Sequence, residues 1–173
     1  MAASPHEFDV GISDRPSFLA SHRALAVCTR EFGKLSDGIV DRVEALAGTG
    51  AVEKPVVRAM PGRCIVQLGP VALTIAWLRS TLDSVADGQL LVIVWRGNVA
   101  PKMARLPEHM AGRGMSSSVP VALIEETLMA GGNDEASWSW HLAADMKDFT
   151  SAELADRCVA HLREAYGSEA AVA

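Results

Sequence analysis

"RCIVQLGPVALTIAWLRS", residues 63–80, decides the fold. Its first part, 63–69, is short, apolar and β-branched, and Gly69-Pro70 then punctuates it, so a strand ends there in a tight turn. The second part, 71–80, alternates. Val71, Leu73, Ile75 and Trp77 fall on one face, and the smaller Ala72, Thr74 and Ala76 fall on the other. After a polar connection ending in Asp87-Gly88, "QLLVIVWRG" at 89–97 is apolar on both faces, the pattern of a central strand. Connections this short predict antiparallel pairing, because a parallel crossover needs about a dozen residues or more.

Upstream, Pro16 to Ala47 reads as a helix with Phe18, Leu25, Phe32, Ile39 and Leu46 spaced by seven. The positions three further on, Ser21, Cys28, Leu35 and Arg42, make the second seam of a coiled coil only half apolar. Two readings share this face: a long amphipathic helix lying on its own sheet, and a self-association seam. Gly33 and Ser36-Asp37-Gly38 weaken the middle, and a break there, capped by Ser36 or Asp37, is one expectation.

Downstream, 98–120 has three prolines and no sustained period and reads as a long loop. A short helix from Val119 to Ala130 follows from Val121, Ile124 and Leu128, with Ser118 as cap and Gly131 as stop; an edge strand over 121–129 is the alternative. In "SWSWHLA", 137–143, Trp138, Trp140 and Leu142 alternate with Ser139 and His141, giving a half-buried strand. Phe149-Thr150-Ser151-Ala152-Glu153-Leu154 is a capping box with a hydrophobic staple. The helix it opens begins at Ser151, runs on Leu154, Cys158, Leu162 and Tyr166, and stops at Gly167.

The expected architecture is therefore α+β: an antiparallel sheet of about four to five strands, with a long N-terminal helix and a C-terminal helix packed mainly on one face. Residues 1–15 are expected as a mobile arm, 16–167 as a single domain and 168–173 as a frayed tail. A chain of 173 residues suits one core. Its net charge of −5, with scattered Lys and Arg, argues against nucleic acid or anionic lipid as partner. The densest basic group, Lys102, Arg105 and Arg113, reads as a solvated loop face. Three widely separated cysteines, Cys28, Cys64 and Cys158, suggest neither a disulfide framework nor a zinc ribbon, and fit a reducing cytoplasm. The charged start of the chain shows no export signal, and no apolar run reaches membrane-spanning length.

Few residues invite a chemical reading. His141, on the polar side of its strand and close to Asp145 in sequence, is the acid–base candidate, since a carboxylate beside an imidazole orients and tunes it. Cys158 and His161 lie one helical turn apart, but Cys158 is in line with Leu154 and Leu162, so core packing explains it and no metal site is expected. Cys64 opens a buried strand and reads as a small core residue, and Glu125 and Glu126 read as solvated carboxylates. Gly112-Arg113-Gly114 lacks the strand-to-helix setting of a phosphate cradle, no nucleophile motif occurs, and no cofactor is expected.

Trp77, Trp95, Trp138 and Trp140 all fall in predicted strands, where indoles form core or line a pocket. The order of elements and the acidic charge resemble those of small dimeric secretion chaperones, a likeness of architecture alone. The functional expectation is a cytoplasmic, non-enzymatic interaction or assembly protein, chaperone-like or adaptor-like and homodimeric, with Phe18, Leu25, Phe32, Ile39 and Leu46, or the open sheet edge, as contact surface. The alternative is a small-molecule-binding protein or enzyme with an apolar pocket walled by Trp77, Trp95 and the 98–120 loop, and His141 as its polar group.

Overall fold

The computed structural model describes residues 17–79, 84–99 and 119–172. The expected arm at 1–15, most of the loop at 98–120 and its basic group Lys102, Arg105 and Arg113 lie outside the described residues. A 3-10 turn at Phe18–Ala20 leads into α1, His22–Gly48. Seven strands follow: β1 Val56–Met60, β2 Arg63–Leu68, β3 Val71–Leu78, β4 Gln89–Arg96, β5 Val121–Gly131, β6 Ser139–Leu142 and β7 Lys147–Phe149. The chain ends in α2, Ser151–Ala170. The strands lie side by side in chain order, each antiparallel to the next. The α+β architecture is as expected, but among the described residues the sheet has seven strands rather than about four to five.

The turn residues fix the central meander. Leu68 pairs with Val71 across Gly69-Pro70, and Gly69 takes φ +53°, which a glycine adopts without strain. Pro61-Gly62 joins β1 to β2 in the same compact way, with Gly62 at φ +70°. β4 holds the fourth of seven positions and is thus the middle strand anticipated from its two apolar faces. Gln67 ties the far end together: its amide donates to the carbonyls of Gly69, Val71 and Gly97, and its oxygen accepts the Val99 N–H.

Inward-pointing residues of the sheet and the apolar stripes of both helices form one buried cluster. Leu73, Ile75, Leu90 and Val92 meet Leu35, Ile39, Leu154 and Leu162 within it. Trp77, Trp138 and Trp140 belong there too, with edge-to-face pairs at 5.7 Å (Trp77–Trp140) and 5.6 Å (Trp138–Trp140).

Several local expectations change. α1 begins at His22, not Pro16, because Ser21 caps it by accepting the Ala24 N–H. It runs unbroken through Gly33 and Gly38. At Gly38 a side chain would meet Arg42 Nη1 at 2.9 Å and Ala155 Cβ at 3.4 Å, so the missing side chain lets α2 approach. Residues 121–131 form the alternative strand rather than the short helix, but not at an edge: β5 is paired on both sides, to β4 and β6. α2 opens with the expected capping box of Thr150 and Glu153, yet passes through Gly167 to Ala170. β1 and β7 are additions, one lying between two prolines and the other only three residues long.

Candidate functional site

The sheet alternates, so the faces of its candidates follow from register. Trp77 points toward the helices, while Trp95 points to the opposite, outer face and donates its indole N–H to Thr74 Oγ1 at 3.1 Å. The two indoles therefore cannot wall a common pocket. His141 lies on the outer face with Trp95 but is two strands away, on β6.

His141 has a carboxylate neighbour, though a different one from the sequence expectation. The β6–β7 hairpin sets His141 opposite Asp148, and His141 Nδ1 lies 2.9 Å from Asp148 Oδ1. Asp145 instead faces Arg157, at 3.4 Å. The alternation of Lys147-Asp148-Phe149 was the available signal for Asp148: Phe149 is buried, so Asp148 must face out. Ser139 Oγ reaches the same carboxylate at 3.4 Å. The pair is solvent-facing, with the Asp148 side chain 65% exposed, and Met129 pairs with His141 from β5.

Glu126, expected as a solvated carboxylate, points inward from β5 and receives two hydrogen bonds from the Arg157 guanidinium of α2. That hydrogen bonding, reinforced by the guanidinium charge, outweighs burial and holds its carboxyl below the usual range. His161 Nε2 lies 3.6 Å from Glu126 Oε1, beyond hydrogen-bond reach. Arg157 also stands over the Phe149 ring at 5.5 Å. No local pattern announces this group, because its members come together only when α2 docks on β5.

All three thiols are buried, as read from the sequence for Cys64 and Cys158. Burial pushes the Cys28 thiol up to about 12 against the opposing charge of Arg79, and the Cys158 thiol to about 12 as well. The Cys64 thiol is also raised, by burial and then by the charge of Asp37. Among the described residues no group of three or more His, Cys, Asp or Glu side chains is placed to hold a metal ion, and no helix is long and apolar enough to cross a membrane.

The seven-residue series from Phe18 to Leu46 turns toward the chain's own interior. Ile39 and Phe32 are buried, and Phe18, Leu25 and Leu46 are partly buried against the same core. Surface apolar residues lie elsewhere: Val56, Met60, Leu78 and Met129 point outward from the sheet and are 40–49% exposed. On the helix layer a groove of about 420 Å³ runs between α1 and α2, with Leu46 and Val159 in its lining and Arg42 and Arg163 among its polar groups.

Comparison with protein-family models, with curated proteins and with solved structures finds no match to this chain.

Proposed function

We propose that this chain is a non-enzymatic interaction protein, chaperone-like or adaptor-like, that works as a homodimer and holds another protein against the outer face of its sheet. The observation that carries this reading is the set of half-exposed apolar side chains, Val56, Met60, Leu78 and Met129, on the face opposite the helices. Two of them stand on β1, an edge strand, whose second side has no strand neighbour among the described residues. Such an edge accepts an extended segment through main-chain hydrogen bonds, while the adjoining side chains supply selectivity. The thiols add support, since their raised pKa leaves almost no thiolate near neutral pH.

Native mass spectrometry of the wild type tests the dimer, and the double variant Met60→Lys/Leu78→Lys tests the sheet face. The expected result is a dimer whose co-purifying protein partner is lost in the double variant. A wild type that stays monomeric, or a partner held equally by both forms, refutes the corresponding half.

A second reading rests on the 2.9 Å contact between His141 and Asp148. A carboxylate at Nδ1 orients the imidazole and leaves Nε2 to act on an outer-face ligand as acid or base. If His141→Ala left the pH profile of ligand binding or turnover unaltered, that reading would be lost.

A further inference from the structure

α2 carries a face that its own fold covers only along one side, where Arg42 of α1 reaches Asp156 and the Ala152 carbonyl. Measured from the peptide between Val159 and Ala160, Asp156 and Arg163 stand at equal distances on opposite sides, and so do Ala152 and Gly167. At about 100° per residue these positions, with Val159 and Ala160, share one stripe of the helix. All but Val159 are exposed, and Val159 borders the groove shared with α1. Gly167 weakens the helix relative to alanine, yet a side chain there would meet nothing within 4 Å, so the fold itself does not require it. Asp156 Oδ1 accepts a hydrogen bond from Arg42 Nε, and its second oxygen has no hydrogen-bond partner among the described residues. Arg163 has no ion-pair partner among them either.

We propose that a second copy of this chain docks on this face, α2 against α2 in antiparallel order, about a two-fold axis through the Val159–Ala160 peptide. The inference rests on the homodimer reading above and names its contact surface. The two-fold sets Asp156 against the partner's Arg163, and Arg163 against the partner's Asp156, while Val159 meets the partner's Ala160. Ala160 and Gly167 allow the axes to approach to about 8 Å. The partner also closes the groove lined by Leu46 and Val159.

The charge order selects both occupant and direction. A copy in parallel order brings Asp156 onto the partner's Asp156 and Arg163 onto the partner's Arg163, whereas an antiparallel copy satisfies both pairs. Each copy carries a net charge of −5, so approaching copies repel except where opposite charges are matched. A helix of 20 residues is about 30 Å long, and a two-helix layer about 20 Å wide covers on the order of 600 Å² per copy. That lies at the lower end for specific dimers and implies a reversible one.

The test uses full-length Asp156→Lys and Arg163→Glu, alone and mixed, in sedimentation velocity over a dilution series, with circular dichroism confirming the fold. Each variant alone sets like charges across the axis and is expected to dimerise at least about tenfold more weakly than wild type. Mixed, they restore both pairs: the introduced lysine of one subunit faces the introduced glutamate of the other, and the Arg163 that the first retains faces the partner's Asp156. A heterodimer of near wild-type affinity is expected, and a misfolded variant cannot produce that recovery. Single variants that dimerise as wild type does overturn the surface and leave the homodimer standing. Weakened variants that fail to recombine overturn the surface as well. A wild type that stays monomeric at every concentration overturns the homodimer reading and this inference with it.

Discussion

The indole N–H of Trp140 donates to Ser151 Oγ at 3.1 Å, joining the middle of the aromatic cluster to the first residue of α2. The same hydroxyl donates to Glu31 Oε2 of α1 at 2.8 Å. Burial works to raise the Glu31 carboxyl, but hydrogen bonds from Lys34 and Ser151, with the charges of Lys34 and Arg30, bring it below the usual value. One hydroxyl thus connects the sheet and both helices. Ser151→Ala leaves a buried indole N–H and a carboxylate oxygen without that partner, and is expected to cost about 1–3 kcal/mol. The urea midpoint reports it, and an unchanged midpoint would remove the hydroxyl from this role.

Arg157 and Glu126 give a pH-dependent contribution of defined sign. Because Arg157 lowers the folded-state carboxyl below its ordinary value of 4.5, the stabilisation is fully present above that pH and is lost as pH falls through the lowered value. Arg157→Met should therefore destabilise the fold by about 1–3 kcal/mol at pH 7, with the gap to wild type closing as the solution is acidified below about 4.5. Denaturation midpoints at several pH values decide it. A gap independent of pH would mean that the loss comes from packing on Phe149.

Gly88 lies against the Trp77 ring: a side chain there would meet Cζ2 at 2.3 Å and Cη2 at 2.7 Å. Gly88→Ala must displace the indole from the aromatic cluster, and overpacking of this kind costs about 1–3 kcal/mol. A lower melting temperature with altered tryptophan fluorescence is expected. Wild-type values for both would show that the turn shifts instead.

The three cysteines are buried and free. With the Cys28 and Cys158 thiols pushed up to about 12, little thiolate exists at pH 8, so native protein should react slowly with an aromatic disulfide reagent, whereas urea-unfolded protein releases all three equivalents. Rapid labelling of the native fold would contradict that burial.

What was legible in the sequence was what is local. β2, β3 and β4 announce themselves because their apolar residues run on between glycine-containing turns, and the capping box is a signal complete within a few residues. β5 misleads for a physical reason: its inward series Ile124, Glu126, Leu128 and Ala130 is interrupted by a carboxylate. That carboxylate is satisfied by Arg157, 31 positions later, so its place in the interior cannot be read from its neighbours. The remaining helix-like spacing of Val121, Ile124 and Leu128 then prevails. The seven-residue series from Phe18 to Leu46 correctly marks an apolar face, but whether such a face meets its own sheet or a partner depends on tertiary packing. The same holds for the site candidates. Trp77 and Trp95 look equivalent until register places them on opposite faces, and Asp148 replaces Asp145 beside His141 because hairpin pairing overrides sequence proximity.

The meeting of Gly38 and Ala155, where α1 and α2 cross, sets the order in which the molecule can be completed during synthesis. The strands neighbour one another in chain order, so the sheet can grow as the nascent chain leaves the ribosome. The helix layer cannot close in that way, because its first member precedes all the described strands and its second follows them. Until α2 emerges, the side of α1 bearing Leu35, Ile39 and Val43 lacks part of its cover. A chain that stops before α2 therefore exposes that side of α1 even when its sheet is formed. Only with α2 in place is that side of the helix fully buried.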